Sequence, residues 1–337
     1  MKPLITVLLG DPRLPDASKP GGRFTADDLD QVARLESALA ELAEYRFEYR
    51  DDHDKLLDDL RNRRPEFVLN FCDTGYRNQA TLEQHIAAYL EMLAVPYSGC
   101  GPTALGLCYD KGLVRAAAQS IGVPVPRESL LLAGQALPEI DYPAFIKPNR
   151  GDGSVGITAR SLVRDSVQAE ACLEDLRRLL PTESLIIQEF LSGDEYGVGM
   201  IGNPGDGFDS LPILEVDYSA LDPSLPRLLD YGSKTDPESP YWTDIRFRQA
   251  RLDDATQQQL RGWCAMLFAR LGLRDYARFD FRTAADGTIR LMEVNPNPAW
   301  CWDGKLAHMA ELKGLRHSGM LRLIVAAARK RCFRSTG

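Results

Sequence analysis

Two short segments late in the chain carry the densest chemistry: ArgPheAspPhe at 278–281 and LeuMetGluValAsn at 291–295, around a turn containing Asp286-Gly287. An Asp-Gly turn between alternating strands is a strong hairpin signal. Centring the turn on that dipeptide pairs 280 with 293 and 278 with 295. Alternation then puts Arg278, Asp280, Glu293 and Asn295 on one face, and Phe279, Phe281, Met292 and Val294 on the other. Two carboxylates directly opposite repel unless a cation lies between them. Hard oxygen ligands of this kind suit Mg²⁺ bridging to nucleotide phosphates. The competing reading, a solvated face with unrelated charges, is the weaker one, because the apolar face already supplies the buried side.

AsnArgGlyAspGlySerValGly (149–156) follows a strand ending in Lys147. Glycines let backbone N–H groups approach phosphate oxygens closely. The loop lacks the Gly-Lys-Ser/Thr ending of a Walker A loop, and by itself it reads more readily as an ordinary hairpin loop than as a phosphate cradle. Lys147 and Lys111 offer cations for the same polyphosphate. GlnGluPheLeuSerGlyAspGlu (188–195) runs from a strand into a turn. It could line an adenine slot with backbone groups and offer Glu195 to ribose hydroxyls; taken alone, it is an acidic loop after a buried strand.

These residues need a scaffold, and the periodicity supplies one. Strand runs at 5–9 and 67–71 alternate with helical patterns at 26–43 and from Thr81, which has capping-box spacing to Gln84. That rhythm predicts a small parallel-sheet unit ending near Gly101. A helix at 111–121 follows, then strands at 144–147, 156–159, 184–190, 196–201 and 211–216. A Pro-rich stretch at 222–244 has the length of a lid, and a helix at 253–271, the hairpin strands 277–281 and 289–295 and a closing helix from 318 complete the chain. Three units result, 1–101, 102–187 and 188–337.

The chain has 337 residues, 40 Lys plus Arg against 48 Asp plus Glu, and a net charge of −8. Its composition, 44% hydrophobic and 26% charged, excludes wholesale disorder. The acidic balance argues against a nucleic-acid binder but leaves room for an anionic small ligand at a local site. Seven scattered Cys without a C-x-x-C pair give neither a zinc pattern nor a secreted disulfide framework. The short apolar start, MetLysProLeuIleThrValLeuLeu, reads as a strand rather than a signal peptide, and no run approaches the ~18 apolar residues of a membrane span. A cytoplasmic protein without a membrane partner is expected.

In series, these motifs resemble an ATP-grasp ligase of the D-alanine–D-alanine ligase-like group. The segments are ValProTyrSerGlyCysGly (95–101), AspLys (110–111), IleLysPro (146–148) with its Gly-rich loop, and 188–195. AspTyrGlySerLys (230–234), ArgPheAspPhe and GluValAsnProAsnPro (293–298) complete them. The resemblance implies an α/β (α+β) three-domain architecture, with an N-terminal parallel-sheet domain and two α+β lobes enclosing ATP. It implies that Lys111, Lys147, Gly153 and Ser154 hold phosphates, and that Gln188, Glu189, Leu191 and Glu195 hold the adenosine. Asp280, Glu293 and Asn295 would bind two Mg²⁺, with Mn²⁺ as a substitute. Lys234 would reach the γ-phosphate from a mobile loop, and Arg278 would stabilise the tetrahedral intermediate; with Ser154 these form the implied catalytic set. A homodimer is expected by the same resemblance.

The chain departs from the family's pattern where amino acids are recognised. The family's D-alanine site uses a Glu in the first loop, a Ser in the Gly-rich loop and a Tyr after the loop Lys. Here the first loop reads GlyAspProArgLeuProAsp, and Gly153 and Thr235 hold the later positions. AspThrGlyTyrArgAsnGln (73–79) replaces HisGly…GluAspGly, ProAlaTrpCysTrpAsp (298–303) replaces Pro-Gly-Met-Thr, and Gly304-Lys305 replaces a Ser-Leu pair. Trp300, Trp302, Asp303 and Lys305 are therefore expected to line a rebuilt acceptor pocket, against the alternative that the tryptophans pack a domain seam. Cys301 and the four histidines are assigned no role. The expected activity is ATP-dependent carboxylate–amine ligation through an acyl phosphate, on amino acids other than the D-alanine pair. The alternatives are a D-alanine–D-alanine or D-alanine–D-lactate ligase, and an ATP-binding sensor without turnover, which would have no use for Arg278.

Overall fold

The computed structural model describes residues 2–151, 154–230, 232–236 and 238–334, with backbone alone at 234 and 235. β1 (Leu4–Leu8) leads through α1 (Ala26–Ala40) to β2 (Arg46–Arg50), and through α2 (Leu56–Asn62) to β3 (Val68–Asn70). The three strands are parallel in the order β2-β1-β3. β1 is central and buried from Ile5 to Leu8, as its apolar run requires. β2 lies at the edge, where its charged ArgPheGluTyrArg sequence can remain partly solvated. α1 opens on a capping box between Thr25 and Asp28. The box expected at Thr81 does not form. A 3₁₀ turn covers Ala80–Leu82, and α3 (Glu83–Met92) starts without a side-chain cap, though it buries Ile86 and Leu90. α4 (Pro102–Cys108) and α5 (Lys111–Ser120) follow.

The central sheet comprises β4 (Glu128–Leu131), β5 (Ala144–Pro148), β6 (Leu162–Val163) and, after α6 (Ser166–Leu179), β7 (Leu185–Glu189). Its order is β4-β7-β5-β6, antiparallel throughout. Leu131, Ala144, Ile146, Leu185 and Ile187 pack on Cys172, Leu173 and Leu176 of α6. By alternation, Glu128, Phe145, Lys147, Ile186 and Gln188 occupy the opposite face. The strand expected at 156–159 is absent. Gly156 has φ +77°, which turns the chain, and a 3₁₀ turn at Ala159–Ser161 precedes β6. The expected junction after residue 187 falls inside β7, which hydrogen-bonds to β4 and β5.

The remaining elements build the largest sheet: β8 (Glu195–Asn203), β9 (Gly207–Ser210), β10 (Leu214–Asp217), α7 (Gly232–Thr235), α8 (Pro240–Thr243), β11 (Arg246–Gln249), α9 (Asp254–Arg270), β12 (Tyr276–Thr283), β13 (Ile289–Asn295), α10 (Lys305–Leu312) and α11 (His317–Cys332). Strand order is β11-β10-β8-β12-β13, with β9 on β8. In β12 and β13, Asp280 pairs with Glu293 and Arg278 with Asn295, as alternation predicts. The turn is wider than two residues, however. Thr283 pairs with Ile289, and a bulge between Asp280 and Phe281 shifts the register to the one expected at the charged pairs. On the charged face, Gly197 and Gly199 admit α10, since a Cβ there would lie 2.8 Å from Met309 Cε and 2.7 Å from Leu306 Cδ1.

The N-terminal sheet docks on the last two helices. Ile5, Leu69 and Phe71 share one core with Leu306, Met320 and Ile324. A buried polar knot fixes the same junction. Asp275, at φ +67°, accepts from Gly99 N (2.8 Å), Asn203 Nδ2 (3.0 Å) and both Nε and Nη2 of Arg331 (2.8 and 2.7 Å). Among the described residues, no helix is long and apolar enough to cross a membrane.

Candidate active site

Two charged faces oppose each other, one from each of the later sheets. On the large sheet, Arg278 grips Asp280 with two nitrogens: Nε lies 3.0 Å from Oδ1 and Nη2 lies 2.9 Å from Oδ2. Asn295 Nδ2 donates to Asp280 Oδ2 at 3.2 Å. Burial works against the Arg278 charge, but Asp280, Glu293 and Glu195 outweigh it and hold its pKa above the ordinary value. Glu195 shares this face, because β8 pairs it with Arg282 and pairs Gly197 with Asp280. It accepts from Tyr218 Oη at 2.7 Å and lies 3.8 Å from Arg282 Nη1. Lys305, at the first turn of α10, points between the two acids, 3.5 Å from Glu195 Oε1 and 3.8 Å from Asp280 Oδ1.

On the central side, the loop after β5 is clipped to the start of α5. Lys111 N donates to Asn149 O (3.1 Å), Gly112 N to Asn149 Oδ1 (3.0 Å), and Lys111 Nζ to Gly151 O. That clip brings Lys111 near Lys147. Burial first, and then Lys111, push the Lys147 pKa down to about 8, against the pull of Glu293 and Glu128. The faces meet where Lys111 Nζ comes 3.6 Å from Glu293 Oε1. Ser154, at φ +64°, donates from Oγ to Leu229 O at 3.4 Å, so the Gly-rich loop touches the Pro-rich segment. Gly153 lies outside the described residues, as does the side chain of Lys234, whose backbone belongs to α7. The Pro-rich segment has a small core of its own, in which Leu221, Leu228, Tyr241 and Ile245 pack on Val216 and Tyr218.

Asp280, Glu293 and the Asn295 amide form a set of hard oxygen donors on adjacent strands. Among the described residues no group of three His, Cys, Asp or Glu could hold a metal. Two carboxylates and an amide nevertheless fit Mg²⁺, which completes its shell with water and phosphate oxygens rather than with an all-protein cage.

Several expected site residues are elsewhere. Glu189 turns away from the cleft and accepts from Arg127 N at 2.8 Å, with Arg127 and Arg290 as ion-pair partners. Only its backbone remains near the Gln188 face. Leu191 is buried. Trp300 is 8% exposed, stacks on Phe71 and donates Nε1 to Phe71 O at 3.0 Å, so it packs the seam with the N-terminal sheet. Trp302, 42% exposed, lies under Arg34 at 4.5 Å, and Asp303 accepts from Gln31 Nε2 at 2.9 Å; both are held against α1. Of the four pocket residues, only Lys305 faces the paired acids. Burial and Asp303 push the Cys301 thiol up, which leaves it unreactive. His53 is buried, with Nε2 donating to Leu9 O and Nδ1 accepting from Arg77 N.

Three residues were not legible as site residues: Asn149, which joins the lysine elements; Arg282, which backs Glu195; and Glu128, which pairs with Gln188 across β4 and β7. Asn149 opens the Gly-rich motif, but its tie to α5 shows only in three dimensions, and Arg282 and Glu128 lie outside every motif.

Residues 128–326 match the family model for the D-ala D-ala ligase C-terminus. The chain is 27% identical over 251 residues to the uncharacterized protein y4sG of Sinorhizobium fredii, covering 74% of this chain and 71% of that one. It is 26% identical over 248 residues to a D-alanine–D-alanine ligase of Dechloromonas aromatica, covering 72% and 75%. In three dimensions it superposes on the D-alanine–D-alanine ligase of Bacillus anthracis complexed with ATP, with a TM-score of 0.72, 18% identity and 98% of each chain covered.

Proposed function

The chain belongs to the D-Ala–D-Ala ligase family, with the ATP-grasp fold of an ADP-forming, ATP-dependent carbon–nitrogen ligase, and on that premise we propose that its substrates are amino acids other than a pair of D-alanines. The observation that carries the reaction class is the opposition of Lys111 and Lys147 to Arg278, Asp280, Glu293 and Asn295, closed at the Lys111–Glu293 contact. A substrate carboxylate takes the γ-phosphoryl group as ADP leaves; an amine then attacks the acyl carbon, the C–O bond to phosphate breaks, and phosphate and the nitrogen proton depart as the C–N bond forms. Lys111 and Lys147 hold the phosphates and offset the charge spread over the transferring oxygens. Asp280, Glu293 and Asn295 would hold Mg²⁺, which would supply charge neutralisation for the phosphates. Asp280 fixes Arg278, whose free donors face the collapsing tetrahedral centre. Acyl phosphates hydrolyse readily, so the Pro-rich segment and the Gly-rich loop, joined at Ser154 and Leu229, keep water out.

Two observations support different amino acids. Of the two carboxylates in the first loop, Asp11 is taken by Arg13 Nε (2.7 Å) and His53 N (2.9 Å), and Asp16 accepts from Ser18 N (2.9 Å) and Ser18 Oγ (2.6 Å). Lys305 brings an ammonium group to the cleft and suits a substrate carboxylate as a point charge. D-alanine–D-alanine ligation is the second reading, favoured by the names of the relatives. Phosphate release from ATP across L- and D-amino acids, with mass spectrometry of the products, separates the two. Turnover on D-alanine alone, yielding D-alanyl-D-alanine, defeats the proposal. Lys305→Ala should raise the KM of one amino-acid substrate and leave that of ATP in place.

A further inference from the structure

Glu128 and Gln188 are register partners across β4 and β7, on the open face of the central sheet that also carries Lys147. Gln188 Nε2 donates to Glu128 Oε2. An ionised carboxylate only accepts, so it determines which end of the amide turns toward it; the Gln188 carbonyl oxygen is held facing the other way. Gln188 is buried, so a wrongly matched group against that oxygen would be costly. Lys147 pairs with Ile186, and Gln188 lies two residues farther along β7, about 7 Å along the strand and on the same face. A nucleotide with its phosphates at Lys147 therefore carries its base toward Gln188.

We infer that Glu128 is a positioning residue for nucleobase choice: by occupying Gln188 Nε2, it presents Gln188 Oε1 as a fixed acceptor for an exocyclic amine. A 6-amino purine satisfies that acceptor. A 6-oxo purine sets oxygen against oxygen and is rejected. The inference rests on the nucleotide site proposed above. Glu128 also attracts Lys147, so its removal weakens the binding of every nucleotide through the phosphates. The ratio between two bases is free of that common effect.

The test is calorimetric titration of the full chain with magnesium–ADP and magnesium–inosine diphosphate. The unaltered protein should prefer ADP by roughly tenfold or more. In Glu128→Leu the amide is free to rotate, and the preference should fall to within about threefold. Glu128→Ala serves if the leucine variant misfolds. Glu128→Gln, which can donate as well as accept, no longer fixes which end of the Gln188 amide turns inward, so its preference should fall below that of the unaltered protein. An unchanged ratio in Glu128→Leu and Glu128→Ala, with both ligands weakened equally, overturns the inference while leaving the nucleotide site intact. Failure of the unaltered protein to bind either nucleotide overturns the site and the inference together.

Discussion

A buried lysine beside a second lysine holds its proton weakly, and Lys147 with a pKa of about 8 is such a group. Between about 8 and the ordinary lysine value, the folded chain has lost this proton while the unfolded chain keeps it. Stability gains from this group as pH rises through that window. Nucleotide binding has the opposite sign, because a polyphosphate favours the charged form. Affinity for magnesium–ADP should therefore fall as pH climbs from 7 to 9, with net proton uptake at pH 8.5 in buffers of differing ionisation heat; an affinity flat across that range excludes the lysine from the phosphates. Asp280→Asn preserves shape but removes the charge that holds both Arg278 and the ion. ATP turnover should drop by at least about a hundredfold while circular dichroism remains that of the unaltered chain. Asp280 and Glu293 were legible because their spacing and their apolar neighbours lie within one hairpin. The fate of Trp300 was not, since its partner, the Phe71 carbonyl, lies on a different sheet. Residue type revealed that a bulky aromatic had entered the segment but not which side of the wall it would face.

Among the elements, the hairpin shows why local pattern carried the register and missed the turn. Alternation fixed which side chains share a face, whereas the bulge between Asp280 and Phe281 absorbs the extra residue of a wider loop. β2 escaped notice because an edge strand can keep its charges, and β4 because it is four residues long and only Leu131 of them is buried. The Thr81 spacing matched a helix start, but Glu83 begins α3 after a 3₁₀ turn, so the local signal lost to the path of the loop before it. The connection between α11 and β12 makes its own prediction. Arg331→Met would strand Asp275, which is fully buried. It should cost roughly 3 kcal/mol in urea denaturation, and Arg331→Met combined with Asp275→Asn should recover part of the loss. Equal loss in the single and double variants would show that the charge pair is not what the junction depends on.

For the whole molecule, a net charge of −8 was a poor guide to an anionic ligand. What matters is local order, with Lys147 on the central sheet and Lys111 beside it at the start of α5, and acids on the large sheet. Because a nucleotide would join these two sheets and not the unfolded chain, magnesium–ADP at about a hundred times its Kd should add roughly 3 kcal/mol and raise the thermal midpoint by a few degrees. Chelating the metal should remove most of that shift, and a chelator-insensitive shift would count against Asp280 and Glu293 as ligands. The knot at Asp275 has a consequence in time. It ties positions 176 residues apart to Gly99 and 56 apart to Arg331. Closing loops of that length costs entropy before any bond rewards it, so the three segments meet late, after each has gained most of its own structure. Until then nothing opposes the strain of Asp275 in its left-handed conformation, three residues ahead of Arg278. A newly made chain thus acquires its sheets and helices first and its aligned arginine last, and a refolding experiment should see secondary structure return before catalytic competence.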